Sequence, residues 1–96
     1  MNRKEIIEYL KKFKEESKNK YHIELLGVFG SVARDTISAN SDIDVVVRLT
    51  KQDLFELIGI KQDLEEYLEL PVDVVSYREK MNLFLKKRID EEAIYV

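Results

Sequence analysis

The sequence predicts a small α/β (α+β) architecture: a mixed three-stranded sheet with helices, in the order helix, strand, short helix, strand, helix, strand, helix. Three observations predict it. Two valine-rich apolar runs, 43–49 and 72–75, flank a long stretch whose apolar residues recur at helical spacing. A third apolar run, 23–29, stops at Gly30. Charged stretches with helical periodicity open and close the chain. A long helical crossover between two strands favours parallel, right-handed pairing.

Taken in order, Asn2 is placed to cap the first helix, with Glu5 completing a capping box. Ile6, Ile7, Leu10 and Phe13 form its apolar face, and Lys11, Lys12, Lys14 and Glu15 the other. This helix is expected to end within 17–20. Residues 23–29 read as a mostly buried strand. Ser31 caps a short helix through about Asp35, and 36–40 form a polar loop. The second strand covers 43–49. Thr50, with Asp53 three residues on, caps the next helix, whose stripe is Leu54, Leu57, Ile58, Ile60, Leu64, Tyr67 and Leu68. Gly59 inside it costs ~1 kcal/mol against alanine and marks a bend or a close packing contact. Pro71 bars continuation. Residues 72–75 are a third strand. Ser76 and Glu79 form a capping box for the last helix, which buries Met81, Leu85, Ile89 and Ala93. The tail Ile94-Tyr95-Val96 is either core or a surface for a partner.

Composition narrows the function classes. The chain has 96 residues, which fits one domain, 1–96, with one modest core. Hydrophobic residues at 45% and charged residues at 36% indicate a folded globule. The net charge of -3 argues against broad nucleic-acid binding. There is no cysteine and one histidine, His22, which removes disulfides, thiolate metal sites and histidine-based triads. No apolar run reaches the ~20 residues of a membrane span, and the charged N-terminus lacks a signal-peptide core. A soluble, cytoplasmic chain is expected.

The strand directions gather the polar residues. Asp42 and Asp44 open the second strand and, two apart, can share a face. Asp73 opens the third. Parallel pairing brings both starts to one edge, with strands ~5 Å apart. Gly30-Ser31 leaves the far end of the first strand and reaches that edge only if this strand runs antiparallel to the second. Three carboxylates at one edge repel each other unless a cation is present. Magnesium takes oxygen ligands and commonly binds through carboxylates and substrate phosphates. A helix start at Gly30-Ser31 offers backbone N–H groups to a phosphate, and the Ser31 hydroxyl adds a donor. A phosphate clamp facing a two-metal cluster suits phosphoryl or nucleotidyl transfer. Arg34 reads as a surface residue or an aspartate partner that could neutralise phosphate, and it joins the nucleotide-binding candidates. His22 and Arg48 read as solvated charges, and Lys86-Lys87-Arg88 as a solvated helix face.

These residues carry a resemblance. Gly30-Ser31, ten residues and then Asp42-Ile43-Asp44 resembles the signature of the DNA polymerase beta-like nucleotidyltransferases. Gly-Ser-Val-Ala-Arg and Ser-Asp-Ile-Asp-Val-Val-Val resemble the minimal nucleotidyltransferase (MNT) antitoxins, partners of HEPN toxins. Val72-Asp73-Val74-Val75 matches the place of that family's third carboxylate. The resemblance implies that Ser31 and Gly30 contact the terminal phosphates of ATP. It implies that Asp42 and Asp44 bind two magnesium ions, and that Asp73 binds the catalytic metal and helps deprotonate the acceptor. It further implies transfer of AMP to a tyrosine of a HEPN ribonuclease toxin, within a hetero-oligomer. At Asp35 the sequence departs from relatives that often have glycine. Two alternatives stand beside this: an antitoxin that acts by binding alone, and a nucleotidyltransferase acting on a small molecule. Larger relatives carry extra domains for the acceptor, so a docked protein is the expected acceptor here.

Overall fold

Helix α1 (Arg3–Tyr21) begins as its capping box dictates. The Asn2 N–H donates to Glu5 Oε1 at 3.1 Å, and the Glu5 N–H donates to Asn2 Oδ1 at 2.9 Å. It runs one residue past the expected end and stops at His22, whose φ of 53° is left-handed. Strand β1 (Ile23–Phe29) and strand β2 (Ile43–Leu49) follow the sequence reading. They pair antiparallel, as the placement of Gly30 required. The computed structural model describes residues 1–37 and 42–96. Ser41 and most of the expected polar loop lie outside the described residues.

The short helix expected after Ser31 is not formed; residues 31–35 are turns. The Arg34 N–H bonds the Gly30 carbonyl at 3.0 Å, and the Thr36 N–H bonds the Ser31 carbonyl at 2.9 Å. That is one helical turn, closed and not continued. Asp35 ends it with φ 58°. Glycine adopts this region at no cost and aspartate tolerates it. Aspartate here therefore meets a backbone need that glycine would meet equally.

Helix α2 (Leu54–Leu68) is capped by Asp53 instead of Thr50. Its carboxylate accepts from the N–H groups of Phe55 at 2.9 Å and Glu56 at 3.3 Å. A charged acceptor at a helix start also meets the positive dipole end. Gly59 is the close contact, not a bend: a Cβ there would lie 2.8 Å from the Tyr21 ring and hydroxyl. Strand β3 (Val72–Ser76) pairs parallel with β2, placing Asp44 opposite Asp73.

Helix α3 (Leu83–Glu92) starts later than the Ser76/Glu79 box predicts. The Ser76 hydroxyl instead donates to Gln52 Oε1 at 3.0 Å, and the Tyr77 N–H bonds the Val47 carbonyl at 2.8 Å. Strand-like bonding thus runs past Ser76, and Asn82 caps the helix through the Leu85 N–H. Met81 lies before the helix yet still packs in its cluster. The tail forms a fourth strand, β4 (Ile94–Tyr95), antiparallel to β1. The sheet therefore has four strands, ordered β3-β2-β1-β4, where the sequence suggested three.

Alternation along β2 sends its residues to two faces. Ile43, Val45, Val47 and Leu49 join Ile6, Leu10, Ile60 and Leu64 in the main core under α1 and α2. Val46, with Phe29 of β1, packs on Ile89 of α3 in a smaller cluster. Asp44 has the parity of Val46, and so does Asp73 in β3. The carboxylates therefore belong to the lightly covered α3 face. No helix among the described residues is long and apolar enough to cross a membrane.

Candidate active site

Parallel register puts Asp44 and Asp73 side by side at the N-terminal ends of β2 and β3. Asp44 is half-buried, whereas Asp73 and Asp42 are exposed. On its other side Asp44 pairs with Phe29. Gly30 follows directly, so the expected glycine-serine turn abuts the carboxylates. Gly30 is left-handed, with φ 68°, and a Cβ there would strike the Asp44 carboxylate. Only glycine meets both conditions at this position.

The electrostatics of Asp44 report the cluster. Its pKa is raised, first by burial and next by the Asp73 carboxylate. Arg88 pulls it the other way, Asp42 adds a further rise, and Arg34 a further fall. The structure thus brings Asp44, Asp73 and Gly30 into one locus, with Asp42 and Arg34 acting on it through space. Ser31 stands half-buried next to Gly30.

Two neighbours escaped the sequence reading. Arg88 is not merely part of a solvated lysine run: its guanidinium lies 5.8 Å from the Phe29 ring centre and acts on Asp44. Glu92 accepts from the Gly30 N–H at 3.0 Å and from Arg34 Nη1 at 3.0 Å. The available signal was helical spacing. Leu85, Ile89 and Glu92 fall on one stripe, so the charge of Glu92 lies on the buried side of α3.

Magnesium commonly takes one or two carboxylates and completes its shell with phosphates and water. The in-register pair supplies that donor set. Among the described residues no group of three histidine, cysteine, aspartate or glutamate side chains is arranged to hold a metal ion.

Comparison with known proteins places this geometry. Residues 4–96 match the family model described as Polymerase beta, Nucleotidyltransferase. A protein of Methanocaldococcus jannaschii, provisionally named a protein adenylyltransferase, is 37% identical over 93 residues, covering 96% of this chain and 95% of its own. A solved structure provisionally named a minimal nucleotidyltransferase superposes with a TM-score of 0.81 at 26% identity, covering 98% of this chain and 95% of that one. A third likeness shows the fold alone. It comes from a tri-AMPylated HEPN toxin of Shewanella oneidensis in complex with MNT antitoxin, at a TM-score of 0.59 and 21% identity, covering 88% of this chain and 69% of that one. The chain belongs to the polymerase beta nucleotidyltransferase family.

Proposed function

We propose that this protein is the antitoxin of a HEPN/MNT pair and transfers AMP from ATP to a tyrosine of its HEPN partner, silencing a ribonuclease. The observation that carries the reading is the in-register Asp44–Asp73 pair set against the Gly30 backbone. That arrangement occurs in a chain 37% identical to a protein provisionally named a protein adenylyltransferase. In the transfer, the tyrosine oxygen bonds to the α-phosphorus of ATP. The bond from that phosphorus to the bridging oxygen breaks, and pyrophosphate leaves. Asp73, the exposed member of the pair, takes the hydroxyl proton. Asp42, Asp44 and Asp73 would hold magnesium, which when bound would neutralise phosphate charge and lower the pKa of the attacking hydroxyl. Ser31 donates to the terminal phosphates, the Gly30 backbone lets them approach closely, and Arg34 neutralises them.

Incubation with labelled ATP, magnesium and the HEPN protein encoded beside it tests this reading. Label is expected on the partner with wild type and not with Asp42→Ala/Asp44→Ala. Equal labelling by both, or none by either, would sink it. If toxin silencing persists without label, the protein acts by binding alone.

A further inference from the structure

We propose that Glu92 is a positioning residue for the nucleotide: it braces Arg34 in the orientation that receives phosphate and, by accepting the Gly30 N–H, ties the turn to the end of α3. This rests on the nucleotidyltransferase reading of the site. Glu92 ends α3, whose last turn carries no basic residue. An acidic group there opposes the helix dipole, so helix stability does not account for it. Its side chain is only 23% exposed, and each of its oxygens is bonded. One oxygen takes the Gly30 N–H, and both take Arg34 Nη1.

Glu92 accepts from Arg34 Nη1 through both oxygens, which fixes the guanidinium beside the turn. The same carboxylate fixes the Gly30 amide, the first N–H of the turn.

The chain builds this brace from its tail. Beyond the helix, β4 pairs with Gly27 and Val28 of β1, which fixes the end of α3 against the loop. A Cβ at Gly27 would lie 2.7 Å from the Ile94 carbonyl oxygen, so glycine permits this approach.

The test is binding of a non-hydrolysable ATP analogue with magnesium to the full chain, alongside thermal melting to establish folding. Glu92→Ala and Arg34→Ala are each expected to weaken binding by roughly tenfold or more. The double variant is expected to bind no worse than Arg34→Ala, because Glu92 acts through Arg34. Glu92→Gln, which keeps one acceptor oxygen without the charge, recovers part of the loss. If wild type binds and Glu92→Ala binds as tightly or more tightly, Glu92 competes with phosphate or is irrelevant, and the brace is overturned. Fully additive single losses overturn it as well. A wild-type chain that binds no analogue rejects the nucleotidyltransferase reading itself, and the brace falls with it.

Discussion

Asp44 shows how one side chain records the whole site. Burial and the neighbouring Asp73 carboxylate raise its pKa above the usual 3.8. The folded chain therefore takes up a proton more readily than the unfolded chain. Between 3.8 and the raised value the native state binds more protons, so stability falls as pH rises through that interval. Above it, the cost of the charged group is present in full. Asp44→Asn removes that cost and the ligand together. At pH 7 without metal the variant is expected to melt roughly a few degrees higher than wild type. The difference shrinks as the pH drops below about 4. Magnesium with an ATP analogue should raise the melting temperature of wild type and leave that of the variant unchanged. Melting curves at pH 7 and pH 3.5 check the sign. A variant that melts lower than wild type at pH 7 would show that Asp44 stabilises the fold.

Among the elements, α2 shows a local rule overruled by a contact. Replacing Gly59 with alanine gains ~1 kcal/mol of helix propensity. The new methyl would lie 2.8 Å from the Tyr21 ring and hydroxyl, which is bonded to Asp63 Oδ2 at 2.5 Å. A hydrogen bond to a charged group is worth about 1.5–3 kcal/mol, so its disturbance outweighs the gain. Gly59→Ala is expected to lower the unfolding free energy by a net ~1 kcal/mol, read as a lowered denaturant midpoint; a raised midpoint would show that Tyr21 yields freely. Elements with a strong local pattern were legible from sequence: the Asn2/Glu5 box, the valine-rich β2, and the parallel β2–β3 crossover. What was missed depends on a distant partner. The Ser76/Glu79 box yields because Tyr77 bonds Val47, and two-residue β4 exists only through its pairing with β1. The site divides likewise. The Gly30 and aspartate spacing is visible along the chain, whereas Glu92 meets Gly30 across 62 positions.

Taken whole, the molecule keeps its scaffold apart from its chemistry. Among the described residues the buried set is wholly apolar, with no buried polar or charged side chain. Asp42 and Asp73 are exposed at the rim, and Asp44 is half-buried. Neither core cluster includes any of the three. Because β2 and β3 are parallel, α2 and α3 both begin at the sheet end opposite the aspartates. There they expose Phe55 at 83% and Phe84 at 85%, so apolar surface is available away from the carboxylates. Removing the three charges should therefore leave the fold intact; under the proposed function it should also leave the association with the HEPN partner intact and end AMP transfer alone. The variant Asp42→Asn/Asp44→Asn/Asp73→Asn is expected to melt no lower than wild type, to co-purify with the partner, and to leave it unlabelled and active as a ribonuclease. Loss of co-purification in a variant that still folds would place the carboxylates in the partner contact. A variant that binds and still silences the toxin would assign the antitoxin effect to occlusion, since transfer would then be dispensable.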